Sequence, residues 1–168
     1  MYVLAANKGL KAGKRMKTLL IVAHTPSNNT SQLAAGMLEA AQCADIGDID
    51  ARIQSPFETH HQHLSTADGV LLFTTENFGY MSGALKDMFD RTYYDCLEET
   101  QGLPWCLCVR AGRDGTGTVR AVESIATGLA WKSCQAPLVL KGDFQQKFFE
   151  QSQEFSMTFA AGLAAGIY

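Results

Sequence analysis

Three short segments of the 168-residue chain are rich in glycines or small polar residues, one of them also holds two aromatic residues, and each follows an apolar run. Residues 24–30 read HTPSNNT, residues 75–83 read TENFGYMSG, and residues 110–117 read RAGRDGTG. Hydroxyl, amide and backbone N–H groups suit a phosphate, whereas aromatic side chains and closely approaching backbone suit a flat heteroaromatic ring. The three segments are therefore the candidates for a ligand site.

The first segment lies between an expected strand and an expected helix. A helix N-terminus offers free backbone N–H groups and a positive dipole end, and both attract a phosphate. The segment matches neither GxxxxGK[ST] nor GxGxxG, so a monophosphate is favoured over a triphosphate or a dinucleotide. An alternative is that Asn29 or Thr30 merely caps the helix.

The second segment offers an apolar wall together with polar groups and flexible backbone, through Phe78, Tyr80, Glu76, Asn77, Gly79 and Gly83. An alternative is a loop that Ser82 caps while Tyr80 covers the core. The spacing GxxSG differs from the GxSxG of serine hydrolases, so we expect no nucleophilic role for Ser82.

The third segment has three glycines, which let the backbone pass close to a bound ring. Its two arginines, Arg110 and Arg113, could meet an anion. An alternative is a solvated turn, because the Asp-Gly pair at residues 114–115 is a strong turn signal.

The elements that must position these segments follow from the hydrophobic pattern. Short apolar runs predict strands over residues 17–23, 51–55, 69–74, 104–109 and 137–141. Apolar residues at helical spacing predict helices over residues 30–44, 82–94, 118–129 and 144–163. Residues 56–67 are polar and predict a loop or a short helix. Alternating strands and helices form a parallel sheet with helices on both faces, which binds ligands beyond the carboxyl ends of its strands.

Composition and charge favour one globular domain without a nucleic acid or membrane partner. Hydrophobic residues make up 46% of the chain and charged residues 18%, and the net charge is −3 with scattered Lys and Arg. No apolar run reaches the roughly 18 residues that a membrane helix needs. Residues 1–15 lack the apolar core of a signal peptide, so we expect a disordered extension before a domain at residues 16–168.

The cysteine and histidine patterns indicate a reducing compartment and no metal chemistry. The five cysteines, an odd number without a CxxC pair, indicate reduced thiols in the cytoplasm. Cys106 and Cys108 alternate along a strand and are expected in the core. The HHQH sequence at residues 60–63 is expected to be solvated, so we predict no metal site.

From residue 17 to its end, the chain resembles the NADPH-dependent FMN reductase branch of the flavodoxin-like proteins. The strongest marker is TENFGYMSGALKDMFDRTYYD at residues 75–95. In the family this segment begins with a proline or threonine, continues with two polar residues and an aromatic-rich turn, and ends with S-G-x-L-K and an acidic residue. The last two parts correspond here to Ser82, Gly83, Leu85, Lys86 and Asp90. The resemblance implies a flavodoxin-like three-layer α/β sandwich, with a five-stranded parallel sheet in the order 2-1-3-4-5 and helices on both faces.

The resemblance also implies that FMN binds at the three segments. It assigns the phosphate to Thr25, Ser27, Asn29 and Thr30. It assigns the ring to Glu76, Asn77, Phe78, Gly79, Tyr80, Ala111, Gly112 and Gly115. No catalytic side chain is required, because the flavin itself carries the chemistry.

The activity that the resemblance implies is that of an NAD(P)H-linked oxidoreductase. NAD(P)H would donate a hydride to FMN, and a quinone, free flavin or another small-molecule acceptor would take the electrons. Two alternatives stay open: a flavodoxin-type electron carrier, and an interaction protein of this fold that has lost its cofactor. A Phe stripe in the last helix is expected to pack the core, and its exposed remainder could serve a homodimer contact.

Overall fold

The core of the structure is a parallel β-sheet whose central strands are buried on both faces. The computed structural model describes residues 15–168, so the predicted extension at residues 1–15 lies outside the described residues apart from Arg15. The strands in this part of the chain are β1 Lys17–Ala23, β2 Ile49–Gln54, β3 Gly69–Asn77, β4 Tyr80–Met81, β5 Pro104–Ala111, β6 Lys132–Ser133 and β7 Leu138–Lys141. Residues 19–23 of β1 are all buried, as expected of a strand between two helical layers.

The strand order confirms the predicted topology. β2, β1, β3, β5 and β7 lie side by side and run parallel, which is the predicted order 2-1-3-4-5. The sequence prediction missed two short strands: β4 pairs antiparallel with β3, and β6 pairs with β5 ahead of β7. With two residues each, they are too short to show a hydrophobic alternation.

Helices cover both faces of the sheet. They are α1 Asn28–Ala41, α2 His61–Ser65, α3 Gly83–Cys96, α4 Thr116–Gly128 and α5 Lys147–Ala165. α1 and α5 pack on the face that holds Leu19 and Ile21, whereas α3 and α4 pack on the face that holds Leu20 and Val22. One apolar run thus fills two cores, because alternate side chains of a strand point to opposite faces. None of the helices in residues 15–168 is long and apolar enough to cross a membrane.

A few boundaries differ from the sequence prediction. α1 begins at Asn28 rather than at residue 30, because Ser27 caps it. β3 continues to Asn77 rather than ending at residue 74, because its last residues pair with β4. Residues 56–67 hold a 3-10 turn at Pro56–Glu58 and the short helix α2.

A buried pair of hydroxyl groups joins the end of β3 to the start of α3. Thr74 Oγ1 lies 3.0 Å from Ser82 Oγ and accepts a hydrogen bond of 3.2 Å from the Ser82 N–H. Ser82 Oγ in turn accepts the Leu85 N–H at 3.2 Å, so Ser82 is the N-cap of α3. Both hydroxyl-bearing residues are 0% exposed. Ser82 is therefore a structural cap, as in the alternative given for the second segment, whereas Tyr80 is exposed and does not cover the core.

We expect Ser82→Ala to lower the free energy of unfolding by about 1–2 kcal/mol, because it removes a helix cap and the buried contact between the Ser82 and Thr74 hydroxyl groups. Urea unfolding without added flavin measures the change. Ser133→Ala is the matched control, since Ser133 is exposed, and it should shift stability by less than about 0.5 kcal/mol. Equal stability of the two variants would contradict the structural role of Ser82.

Candidate functional site

The three predicted segments lie at the carboxyl ends of neighbouring parallel strands, β1, β3 and β5. β2, which follows β1 in the chain, lies on one side of β1, and β3, which follows β2, lies on its other side. The order of the strands therefore reverses direction at β1 and β3. This is the topological switch point where sheets of this kind bind ligands. The first segment is anchored to β3 through a 2.9 Å hydrogen bond from the His24 N–H to the Phe73 carbonyl.

The hydroxyl groups of the first segment bind each other. Ser27 Oγ accepts the Thr30 N–H at 3.3 Å, and Thr30 Oγ1 accepts the Ser27 N–H at 3.0 Å, which forms a reciprocal capping box. Thr30 is buried, while Ser27 and Asn29 are exposed and Thr25 is half-buried. Capping is thus present in this segment, with Ser27 as the cap.

The first turn of α1 still offers donors to a ligand. Within the described chain, no residue accepts a hydrogen bond from the backbone N–H of Asn28 or Asn29. Both residues are exposed at the positive end of the helix dipole. The backbone of this turn, rather than the hydroxyls of Ser27 and Thr30, is the part free to bind an anion.

The second segment folds as a tight β-hairpin that sequence reasoning did not foresee. Asn77 pairs with Tyr80 and Glu76 with Met81, which leaves Phe78 and Gly79 as the two turn residues. Their φ angles are +54° and +76°, the left-handed pair that a type I′ hairpin requires. Phe78 is strained in this conformation, and its side chain is fully exposed (107%).

The hairpin is tied to the third segment by one carboxylate. Glu76 accepts hydrogen bonds from the backbone N–H groups of Arg113, at 2.7 Å, and Gly115, at 3.2 Å. Gly115 has a φ of +72° and is the N-cap of α4. The hairpin also packs closely against the start of α4. A Cβ atom built on Gly117 would lie only 2.0 Å from the Gly79 carbonyl oxygen, so the packing leaves no room for a side chain there.

The second and third segments together line a cleft of about 250 Å³, formed by Glu76, Phe78, Gly79, Gly112 and Arg113. Four of these five were predicted ring-binding residues. A Cβ atom built on Gly79 or Gly112 would have no atom within 4 Å, so open space lies over both glycines. The remaining predicted residues do not line this cleft: Thr25, Ser27, Asn29, Thr30, Asn77, Tyr80, Ala111 and Gly115.

Those remaining residues have different surroundings. Ala111 and Gly115 are buried, whereas Asn77 and Tyr80 are exposed. Asn77 Oδ1 accepts a 2.9 Å hydrogen bond from the Thr75 hydroxyl, which stiffens the hairpin.

Arg110 holds the third segment rather than facing an anion. Its guanidinium donates to the carbonyl groups of Ala111 (2.6 Å), Leu140 (3.1 Å) and Gly142 (2.7 Å). It also lies 5.3 Å from the centre of the Phe148 ring. Sequence reasoning missed this role because two of the three carbonyls belong to β7 and the turn after it. Arg113, by contrast, is exposed and is one of the residues that line the cleft.

The buried thiols of β5 are not activated as nucleophiles. Burial raises the pKa of both the Cys106 and the Cys108 thiols, so they stay protonated at neutral pH. Partial burial lowers the pKa of His24, which keeps that imidazole neutral. The His63 imidazole accepts the His60 N–H at 3.0 Å at the start of α2. Across residues 15–168, no group of three or more His, Cys, Asp or Glu side chains is arranged to hold a metal ion.

No family model matches the chain, and neither does any curated protein sequence. Solved structures do match it. A flavodoxin from the domain Archaea matches with a TM-score of 0.73 at 13% identity, covering 87% of this chain and 98% of that one. An oxidoreductase from Corynebacterium diphtheriae gives 0.65 at 17% identity, covering 90% and 97%. A WrbA-like flavodoxin from Agrobacterium tumefaciens gives 0.67 at 11% identity, covering 90% and 99%.

These matches, together with the strand order, confirm the predicted flavodoxin-like fold. Each match covers 87–90% of this chain, far more than any single motif. The protein is therefore an α/β protein of the flavodoxin-like fold.

We expect Gly117→Ala to destabilise the protein by about 1–3 kcal/mol, because its new methyl group would overlap the Gly79 carbonyl and push the hairpin off α4. Gly83→Ala is the matched control. Gly83 also lies in the first turn of a helix, and a Cβ atom there would meet nothing within 4 Å. Thermal melting without flavin should show a loss for the first variant and none for the second. Equal melting of both variants would contradict close packing between the hairpin and α4.

Proposed function

We propose that the protein is an FMN-dependent oxidoreductase that accepts hydride from NAD(P)H and reduces a flavin, a quinone or a similar small acceptor. The observation that carries the proposal is the Phe78–Gly79 turn. It holds an exposed aromatic side chain in a strained conformation at the lip of an open cleft. Such strain and exposure are unfavourable for the chain alone, and they are accounted for if a ring binds against this turn.

The residues present fit both halves of FMN. The unbonded N–H groups of Asn28 and Asn29 suit a single phosphate at the end of β1. The Phe78 ring and the open space over Gly79 and Gly112 suit a flat ring at the ends of β3 and β5. The phosphate subsite after β1 and the ring subsite after β3 and β5 thus lie at the ends of neighbouring strands.

Bound FMN would supply the redox chemistry by taking two electrons and one proton from NAD(P)H as a hydride, which leaves NAD(P)⁺, and by passing the electrons to the acceptor. The protein's own residues bind and orient. Phe78 would offer an aromatic face to the ring, and the open space over Gly79 and Gly112 would leave room for it. Ser82 and the core thiols take no part, since they are buried.

The finer assignment, to the NADPH-dependent FMN reductase branch, rests on the resemblance of residues 75–95. A flavodoxin-type electron carrier is the rival of the same fold. Net charge does not separate the two, because it is −3 for the whole chain but −7 for residues 16–168, with 10 Lys and Arg against 17 Asp and Glu, and carriers use acidic surfaces to dock onto their redox partners. Hydride uptake from NAD(P)H separates them.

Flavin uptake and pyridine nucleotide oxidation test the proposal. The purified protein is titrated with FMN, FAD and riboflavin, and the FMN complex is then mixed anaerobically with NADPH or NADH. We expect FMN to bind more tightly than riboflavin and FAD, and the flavin absorbance to bleach on mixing. Binding without bleaching would identify an electron carrier, and the lack of any uptake would identify a protein without a cofactor.

We expect Gly79→Val to abolish FMN binding, because a β-branched side chain disfavours the φ of +76° and would also occupy the open space over the turn. Gly79→Asn separates the two causes, since Asn tolerates left-handed turn positions. This second variant should melt like the parent without flavin and still bind FMN at least about tenfold more weakly, the effect of about 1.4 kcal/mol. FMN affinity equal to that of the parent in both variants would place the ring elsewhere.

We expect Asn28→Pro to weaken FMN binding by about 1–3 kcal/mol, because proline removes one backbone donor proposed for the phosphate. The first helical position tolerates proline, and Ser27 already has extended angles that suit a residue before proline. Melting of the flavin-free variant should therefore be unchanged. Riboflavin is the control ligand, and an equal loss of affinity for riboflavin and FMN would contradict a phosphate contact.

A further inference from the structure

The Glu76 carboxylate lines the cleft and accepts hydrogen bonds from two backbone N–H groups of the third segment. Its oxygens lie 2.7 Å from the Arg113 nitrogen and 3.2 Å from the Gly115 nitrogen, at the start of α4. Glu76 is half-buried, and it lines the same cleft as Phe78 and Gly79. The wall of the cleft thus contains a fixed internal anion.

We propose that Glu76 is a positioning residue that fastens the third segment to the hairpin, and that its charge makes the site bind oxidised FMN more tightly than reduced FMN. The inference rests on the proposed function, because it takes the cleft to be the flavin site. It assigns to this chain a control over the reduction potential of its cofactor, exerted by one named carboxylate.

The preference for oxidised FMN follows from the negative charge of Glu76. A hydride brings two electrons and one proton, so a bound ring gains one negative charge on reduction until a solvent proton neutralises it. A carboxylate in the cleft wall disfavours that added charge, and partial burial weakens the screening by water. The backbone N–H of Arg113, the cleft residue whose amide would favour the reduced ring, already donates to Glu76.

Arg113 is the other charged side chain of the cleft, and it has the opposite sign. It is exposed, so solvent screens it more strongly than the half-buried Glu76. Glu76 is also fixed by two hydrogen bonds, whereas the described residues provide no hydrogen-bond or ion-pair partner for the Arg113 guanidinium. The immobile charge therefore dominates at the cleft wall.

Three variants separate charge from tethering. Glu76→Gln removes the charge and keeps the size and one acceptor oxygen. Glu76→Asp keeps the charge and shortens its reach to Arg113 and Gly115. Glu98→Gln is the matched control, since it makes the same charge change at an exposed residue just beyond the far end of α3, a helix of 14 residues and so about 21 Å long.

Two measurements are made on each variant. The first is the ratio of the dissociation constants for oxidised and dithionite-reduced FMN under anaerobic conditions. The second is amide hydrogen exchange at Arg113 and Gly115 without flavin, which reports the tether independently of any cofactor.

We expect Glu76→Gln to change the ratio about tenfold in favour of reduced FMN, which raises the two-electron midpoint potential by about 30 mV. Glu76→Asp should leave the ratio near that of the parent while exchange at Arg113 and Gly115 becomes faster, and Glu98→Gln should change neither. An unchanged ratio in Glu76→Gln, or equal shifts in the Gln and Asp variants, would overturn the inference while FMN binding stands. If the parent binds FMN in neither redox form, the proposed function fails, and this inference fails with it.

Discussion

The burial of the central strands on both faces is the constraint on which the rest of the structure depends. β1, β3 and β5 supply side chains to two separate cores, so nearly every position along them must be apolar. Polar side chains are accommodated only where a strand leaves the core, as at Thr74, the last fully buried residue of β3. Binding groups are therefore confined to the ends of the strands, and the parallel arrangement brings these ends to one edge of the sheet.

The hairpin and the third segment are held by more contacts than the first segment, so this half of the candidate site is the stiffer one. The hairpin and the third segment are held by the Glu76 carboxylate, by the contact between Gly117 and Gly79, and by the three carbonyl bonds of Arg110. The first segment is held mainly by its own capping box and by one bond to β3. A ring would thus meet a wall that is already arranged, which reduces the entropy lost on binding.

Much of the fold could be predicted from the sequence, because apolar runs and helical spacing are local signals. Residues 17–23 alone indicate a strand buried on both faces, and the small polar residues after it indicate a helix start. The contacts that shape the cleft are not local. Glu76 reaches residues 37 and 39 positions later in the chain, and Arg110 reaches carbonyls 30 and 32 positions later. No pattern within either segment identifies such partners.

The outer strand beyond β5 is divided into two pieces, Lys132–Ser133 and Leu138–Lys141, separated by four residues. An open sheet edge offers unpaired N–H and C=O groups to other chains, and a long, flat edge promotes aggregation. Here each piece is short and carries a lysine, so a neighbouring molecule finds no continuous ladder to extend. The interruption that hid the two-residue β6 from sequence analysis thus also makes this edge of the sheet a poor template for edge-to-edge association.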